Sequence, residues 1–223
     1  MSKKMRGLFD YEYQLELINK HQPPLAKLNN VIDWEMFRTP IEDAFTIEAK
    51  APGGRPPFDR LMMFKILILQ RYYNLSDEQT EFQIKDRLSF MQFLGLQIGD
   101  NVPDQKTIWY FKEQLKEKKL SKKLFELFTQ TLISNGVVAK EGSIVDASFV
   151  NVPRQRNTRE ENETIKQDDI PESFENHPAK LSQKDTDARW MTKNSERHFG
   201  YKNHINADAV TKLITKFTTS SAS

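Results

Sequence analysis

The chain has 223 residues, of which 38% are hydrophobic, so it can form one large or two small domains with a core. Its 33 basic and 31 acidic residues give a net charge of +2, so only local clusters of charge can indicate a nucleic-acid partner. The absence of cysteine excludes disulfides and thiolate metal sites. The N-terminus lacks a secretory signal and no apolar run reaches the length of a membrane span, which predicts a cytoplasmic protein without a membrane partner.

Residues 1–59 are predicted to form an N-terminal arm with short helices. Apolar positions indicate a helix at 10–20 that ends before a pair of prolines. The segment 51–57 holds three prolines and two glycines, a composition typical of a stiff loop. Arg55 is the charged residue of this loop and a candidate DNA contact.

Residues 60–136 are predicted to form an all-helical DNA-binding domain that is helix-turn-helix-like. The stretch 59–73 is apolar nearly all round, as in a helix at the buried centre of a bundle. Ser76 and Gln79 have the spacing of a capping box that begins the next helix. Asp104 is the expected N-cap of a later helix.

The helices expected at 77–94 and 104–118 are the pair that indicates DNA binding. In a helix-turn-helix arrangement, the N-terminal end of the second helix faces base edges and phosphates. A cluster of lysines continues along this helix and into the next one. The candidate DNA contacts of this region are Gln105, Lys106, Thr107, Trp109, Lys112, Lys116 and Lys119. The lysines equally fit a solvated surface with charges that favour a helix C-terminus, so the sequence leaves both interpretations open.

The stretch 142–150 is typical of a β-strand because it is rich in β-branched and aromatic residues. Side chains alternate along a strand, so Asp146 shares a face with Ile144 and Val150. An ionised carboxylate that is buried among apolar neighbours needs a cation, a metal or several hydrogen-bond donors. A half-exposed position on an edge strand is the simpler interpretation of an isolated aspartate.

The region 137–223 combines this strand with a charged segment and two further strands. Residues 151–184 have almost no aliphatic periodicity, which predicts a mobile, disordered insertion. Strands are then expected at 198–205 and 212–219, which makes three strands in all.

Lys202 and His204 share one face of the strand expected at 198–205. They are candidate contacts for a DNA phosphate or a metal, while a hydrogen-bonded structural histidine is the simpler interpretation of His204. A weaker functional alternative is a metal-dependent phosphohydrolase that uses Asp146, His204 and Asp208.

Several short motifs follow one another across residues 50–223. They are Gly53-Gly-Arg-Pro-Pro-Phe-Asp59, Met63-Phe-Lys-Ile-Leu67, Leu75-Ser-Asp-Glu-Gln79, Asp86-Arg-Leu-Ser-Phe90, Phe93-Leu-Gly-Leu96, Val102-Pro-Asp104 with Thr107, Ile144-Val-Asp-Ala-Ser148, Asp185-Thr-Asp-Ala-Arg-Trp190, His198-Phe-Gly-Tyr-Lys-Asn-His204 and Asp208. In this order they resemble bacterial insertion-sequence transposases of the DDE type, in the large group numbered five.

The resemblance implies an RNase H-like catalytic domain in which three carboxylates hold two divalent ions, normally Mg²⁺. It also implies DNA cleavage and strand transfer, with the double-stranded inverted-repeat ends of the element as the partner. Asp146 matches the first of the three carboxylates and is therefore the expected catalytic residue and metal ligand. A homodimer, or pairing with a full-length transposase, is expected as well.

The other two carboxylates of the family have no counterpart in this chain, which ends at the third strand. We therefore expect an α+β fold in which the all-helical DNA-binding domain precedes the first three strands of an incomplete RNase H-like domain. On this interpretation the chain is a truncated and inactive copy of a transposase. The alternative is a non-catalytic DNA-binding fragment that acts as a regulator by binding element ends.

Overall fold

Helices occupy the N-terminal part of the chain and an antiparallel sheet occupies the C-terminal part, in agreement with the predicted α+β class. The structure is a computed structural model that describes residues 10–21, 23–45, 56–138, 142–193 and 195–222. It divides into unit 1 (Met1–Phe125) and unit 2 (Glu126–Ser223). Over the described ranges, no helix is long and apolar enough to cross a membrane.

The regular elements of the described residues confirm the helix predicted at 10–20 and add a 3-10 turn at Trp34–Phe37. The helices are α1 (Asp10–Lys20), α2 (Pro24–Val31), α3 (Arg38–Ala44), α4 (Arg60–Tyr72), α5 (Asp77–Asp86), α6 (Leu88–Leu94), α7 (Gln105–Glu117), α8 (Leu120–Ser134), α9 (Arg159–Lys166), α10 (Glu172–Glu175) and α11 (Pro178–Leu181). The strands are β1 (Ser143–Asn151), β2 (Arg189–Lys193), β3 (Glu196–Asp208) and β4 (Ile214–Ser221).

Helix α4 lies at the centre of unit 1, as its apolar sequence predicts. It packs against α3, α5, α6 and α7, and its Ile66 and Leu69 side chains are completely buried. The helix begins at Asp59, whose Oδ1 accepts a hydrogen bond of 2.9 Å from the Leu61 amide. Isolated helices of this length are marginal in water, so burial of their apolar sides stabilises the unit.

The caps predicted for α5 and α7 are confirmed. Ser76 Oγ accepts a hydrogen bond of 3.1 Å from the Gln79 amide, and Gln79 Oε1 accepts one of 3.2 Å from the Ser76 amide. Asp104 Oδ1 accepts a hydrogen bond of 2.7 Å from the Thr107 amide. Gly95 ends α6 with a φ of 76°, a left-handed conformation that glycine adopts without strain. These local interactions fix where the three helices α5, α6 and α7 begin and end.

The sheet of unit 2 has four strands in the described residues instead of the expected three. Strand β3 is central and pairs in antiparallel register with β1, β2 and β4. The additional strand is β2, whose sequence lacks a clear alternation of apolar and polar side chains and therefore escaped prediction. At Gly200 of β3 the backbone of β1 comes so close that a Cβ atom would lie 2.0 Å from the carbonyl oxygen of Val150. Only glycine fits at this position.

The segment 151–184 contains the three short helices α9, α10 and α11. Phe174 is completely buried and Ile165 is nearly so. Two separated apolar side chains are too few to produce a helical periodicity, so the sequence pattern does not reveal them. The structure thus corrects the expectation that this segment has no secondary structure, while its mobility stays a prediction.

The segment 151–184 is termed the α9–α11 segment after its three helices, and Glu161 connects these helices. It forms a capping box with Thr158 at the start of α9, and its Oε1 accepts hydrogen bonds of 2.7 Å from Lys180 Nζ and from Ser173 Oγ. The Lys180 ammonium, the Ser173 hydroxyl and the Thr158 amide lower the pKa of Glu161 to about 2. The charged carboxylate therefore stabilises the segment at neutral pH.

Candidate nucleic-acid interface

The N-terminal end of α7 is closed by two carboxylates. Besides the Asp104 cap, Glu81 Oε2 of α5 accepts a hydrogen bond of 2.8 Å from the Gln105 amide. Hydrogen bonds from Lys85 and from this amide lower the pKa of Glu81, and those from Thr107 lower the pKa of Asp104. Free amides at a helix start attract phosphate, but here carboxylates occupy them. The amides of Gln105 and Thr107 therefore already have acceptors, which leaves the side chains of α7 as the candidate contacts.

Four exposed side chains of α7 form a continuous surface. Trp109 and Tyr110 are 54% and 58% exposed, and exposed Lys106 and Lys116 flank them along the helix. Residues three, four or seven positions apart lie on the same side of a helix, so all four share one side. Lys106, Trp109, Tyr110 and Lys116 are termed the α7 surface. It combines two lysines with two exposed rings, and Glu113 lies on the same side with its Oε2 3.6 Å from Lys116 Nζ.

Lys112, another predicted contact, has a partner within unit 1. Its Nζ lies 2.6 Å from Asp77 Oδ1, an ion pair that links α7 to α5. Gln70 Nε2 donates a second hydrogen bond of 2.6 Å to the same oxygen. Burial alone raises the pKa of Asp77, but the two hydrogen bonds outweigh it and hold that pKa below its usual value. Lys112 thus positions α7, and its contact with DNA stays a prediction.

The remaining predicted contacts of the helical part differ in their accessibility. Gln105 is exposed next to Lys106, and Lys119 is exposed in the turn that follows α7. Thr107 is half-buried, and its amide is bonded to the N-cap of α7. Arg55 lies outside the described residues. Gln105 and Lys119 can therefore extend the α7 surface at its two ends.

Tyr110 was not among the predicted contacts, although the sequence contains the signal. Ile108, Phe111 and Leu115 are all buried, as their spacing of three and four residues indicates. Tyr110 lies off this buried stripe, next to Trp109. A bulky aromatic pair that is displaced from the apolar stripe of a helix indicates an exposed binding surface.

The register of the sheet separates the predicted site residues of unit 2. Asp146 of β1 pairs with Ile205 of β3, so these two side chains project to the same face. His204 and Lys202 are an odd number of positions from Ile205 along β3 and project to the opposite face. The two faces are termed the Asp146 face and the Lys202 face. No contact between Asp146 and either basic residue is possible across the sheet.

The trio predicted for a phosphohydrolase, Asp146, His204 and Asp208, is not brought together. Asp208 lies on the Lys202 face and is buried, and its Oδ1 accepts hydrogen bonds of 2.7 and 2.8 Å from the amide and hydroxyl of Thr211. His204 Nε2 lies 3.3 Å from Ser220 Oγ. Asp208 therefore stabilises the turn between β3 and β4, and the geometry contradicts the phosphohydrolase alternative.

Asp146 is exposed, and its Oδ1 accepts a hydrogen bond of 2.8 Å from the Ala147 amide. Among the described strand residues it is the only carboxylate on its face. The described part of the chain has no group of three or more His, Asp or Glu side chains that can hold a metal ion. Mg²⁺ ions require several oxygen ligands each, so these residues do not fit the two-metal site that the resemblance implies.

Asp185 and Tyr201 connect two of the sequence motifs. The Tyr201 hydroxyl donates a hydrogen bond of 2.6 Å to Asp185 Oδ1, which also accepts from the amides of Asp187 and Ala188. Burial and the adjacent carboxylate raise the pKa of Tyr201. These interactions hold the chain that enters β2 against β3, which is a structural role.

The helical unit also matches a known family. Residues 12–114 match the model of the family DUF772, described as a transposase domain. This match supports a transposase-family protein. A transposase family implies interaction with DNA. No solved structure matches the chain at a significant level.

The transposase match lies within unit 1 and covers less than half of the chain. It includes Lys106, Trp109 and Tyr110 of the α7 surface and ends just before Lys116. Asp146 and the sheet lie outside it. The insertion-sequence group, the DDE type and the RNase H-like fold therefore depend on the resemblance of the motifs.

Proposed function

We propose that this transposase-family chain binds double-stranded DNA at the inverted-repeat ends of an insertion sequence through the α7 surface. The observation that carries the proposal is the exposed pair Trp109 and Tyr110 between two exposed lysines. Lysines attract the phosphate backbone, and aromatic rings offer flat surfaces that pack against the sugars of a duplex. Large aromatic side chains are enriched in binding surfaces, whereas lysines alone are common on any solvated helix.

The closed end of α7 determines the proposed direction of approach. Because Glu81 and Asp104 occupy the amides of Gln105 and Thr107, DNA runs along the side of α7 rather than over its end. Lys106 and Lys116 then contact phosphates about 15 Å apart, given a rise of ~1.5 Å per residue. Lys112 keeps α7 in place against α5 through its ion pair with Asp77.

For the reaction, we propose that Asp146 is one carboxylate of an RNase H-like DDE site that cleaves and transfers DNA strands with Mg²⁺. The described residues do not complete such a site, so no chemical step is assigned to them. A second copy of this chain or a full-length transposase is the proposed partner on the DNA. The described residues therefore support the binding step of transposition more than its chemistry.

A non-catalytic regulator that occupies element ends is the second candidate function. It is favoured by the solitary position of Asp146 on its face of the sheet. Both candidates require DNA binding, but only the first places Asp146 in a strand-transfer site. The first expectation for this chain is an inactive copy, so a strand-transfer assay with Mg²⁺ should give no product, and product that disappears in Asp146→Asn would contradict both that inactivity and the regulator.

Fluorescence anisotropy with an inverted-repeat duplex at several salt concentrations tests the binding proposal. The double variant of Lys106→Ala and Lys116→Ala should weaken binding by on the order of tenfold, because two phosphate contacts are lost. The slope of log affinity against log salt should become less negative by ~2. The double variant of Trp109→Ala and Tyr110→Ala should weaken binding but leave this slope unchanged.

Lys20 and Lys27, exposed on α1 and α2, provide the matched control. Their double alanine variant removes the same charge and should bind DNA like the unmodified chain. Lys112→Ala should lower stability, because Asp77 loses its cation. The proposal is wrong if the variant of Lys106 and Lys116 binds as well as the variant of Lys20 and Lys27.

A further inference from the structure

The Lys202 face of the sheet carries aligned cationic and hydrogen-bonding side chains. Along β3 and β4 the pairs on this face are Lys202 with Ser220, His204 with Thr218 and Asn206 with Lys216. Residues two positions apart in a strand lie roughly 7 Å apart, so successive pairs repeat at about that distance. Lys202 and Lys216 are therefore roughly 14 Å apart along the strands.

Strand β1 adds apolar side chains to the same face without adding charge. Phe149 pairs with Lys202, Ala147 pairs with His204, and the β1 partner of Asn206 is a valine. The Phe149 ring is half-buried and its centroid lies 4.9 Å from that of the His198 ring. Lys202 thus lies between an aromatic ring on β1 and a hydroxyl on β4.

The charges of the two faces differ in the central part of the sheet, whereas Asp208 and Glu196 lie at the two ends of β3 on the Lys202 face. Across the described strand pairs from Lys202 to Asn206, the Lys202 face holds two lysines and no carboxylate. The Asp146 face holds one carboxylate among apolar side chains that include Ile205 and Phe217. A polyanion is therefore attracted to the first face and repelled by the charge on the second.

The Lys202 face is accessible within unit 2. In the described residues, the helices α9, α10 and α11 make no extensive packing contact with a strand. Lys216 is exposed, and Lys202 and His204 are half-buried. The α9–α11 segment approaches the sheet near Phe199, whose side chain is on the Asp146 face.

We propose that the Lys202 face binds the phosphate backbone of nucleic acid, as a second contact surface that is distinct from the α7 surface. Lys202 and Lys216 provide the charge, and Ser220, Thr218 and His204 donate hydrogen bonds to phosphate oxygens. The repeat of roughly 7 Å between donor pairs suits a ligand with regularly spaced anionic groups better than an acidic protein surface. Phe149 contacts a sugar or a base beside Lys202.

The position of Asp146 adds a restriction to this surface. Side chains on opposite faces of one sheet cannot touch the same phosphate group. A phosphate bound on the Lys202 face is therefore different from any phosphate that approaches Asp146. The choice of DNA as the polyanion rests on the proposed function, whereas the location of the surface rests on the sheet register alone.

Lysine acylation of the full chain, with and without duplex DNA, tests the surface directly. Mass spectrometry should show that DNA protects Lys202 and Lys216 several-fold, while exposed Lys166 on α9 reacts equally in both samples. In anisotropy titrations, the double variant of Lys202→Ala and Lys216→Ala should make the salt slope less negative by ~2. This change should add to that of the Lys106 and Lys116 variant.

The double variant of Arg159→Ala and Lys166→Ala is the matched control, since both residues are exposed on α9 in the same unit. This inference is overturned if DNA does not protect Lys202 and Lys216 and if only the Lys106 and Lys116 variant loses binding. That result would leave the proposed function intact. A chain that binds no DNA at all would overturn both. A change of sedimentation in the Lys202 and Lys216 variant, with DNA binding unaltered, would instead assign the face to a protein partner and overturn the inference.

Discussion

Unit 1 and unit 2 differ in how they bury large apolar side chains. In unit 1 the side chains that are at most 1% exposed include Ile66, Leu69, Ile84, Phe90, Phe93 and Ile108. On the sheet of unit 2 the large apolar side chains Ile144, Val145, Val150, Trp190, Ile214 and Phe217 are exposed. A helix has one apolar side that its neighbours cover, whereas a sheet has two faces and needs a layer on each. The helical unit should therefore resist unfolding, and the sheet should offer surface for partners.

The same substitution in each unit tests this difference with the largest expected effect. Phe93 is 1% exposed and contacts the Trp34 ring edge-on at a centroid distance of 5.5 Å. Phe93→Ala should lower the free energy of unfolding by ~3–5 kcal/mol because it leaves a cavity. Phe217 is 39% exposed, so Phe217→Ala should lower the free energy of unfolding by about 1 kcal/mol or less. Urea denaturation followed by circular dichroism measures both, and equal losses would show that the sheet is covered in solution.

The α9–α11 segment of unit 2 buries Phe174 completely, and Glu161 makes the stability of the segment depend on pH. The pKa of Glu161 is about 2 in the folded chain, below its ordinary value of 4.5. Its contribution is therefore complete above about pH 4.5 and lost as the pH falls toward 2. Glu161→Gln should remove this dependence and destabilise the segment at neutral pH by about 1.5–3 kcal/mol, the range for hydrogen bonds to charged groups.

Hydrogen exchange of residues 159–181, corrected for the intrinsic rate at each pH, measures the effect of Glu161. Glu163→Gln is the control, because Glu163 is exposed and its side chain pairs with Lys166 within the same helix. That variant should keep the pH dependence of the unmodified chain. An unmodified segment whose protection is constant from pH 6 to pH 2 would contradict the assigned role of Glu161.

The smallest predicted losses of stability concern the two capping boxes, one in each unit. Ser76→Ala and Thr158→Ala should each cost ~1 kcal/mol, because each leaves a helix amide without its acceptor. In unit 1 the loss should appear in global unfolding, since α5 packs against α4, α6 and α7. In unit 2 it should appear only as faster exchange within α9. Equal shifts of the global transition would mean that both units unfold together.

Features that depend on a few neighbouring residues could be predicted from the sequence. The Ser76 and Asp104 caps, the left-handed Gly95 and the strand around Asp146 all appear where the pattern places them. Each depends on chemistry within four or five positions of the chain, such as a side-chain oxygen near a free amide. The α4 helix was predictable because its apolar residues extend around the whole helix.

Features that depend on distant residues could not be predicted. Alternation along each strand gives its two faces, but only the register between strands shows that Asp146 and His204 point in opposite directions. The burial of Phe174 likewise depends on packing within a segment that is otherwise charged. Lys112 pairs with Asp77, which lies 35 positions away. The sequence alone therefore does not show that this lysine forms an ion pair within unit 1.

The close approach of β1 to Gly200 has a consequence for mutational tolerance. Every amino acid other than glycine carries the Cβ atom that would collide with the Val150 carbonyl, so even alanine must push the two strands apart. Position 200 is neither charged nor part of a hydrophobic core, yet every missense change of its codon should disturb the strand that carries Asp146. In a saturation mutagenesis scan of the sheet, position 200 should be among those that tolerate the fewest substitutions.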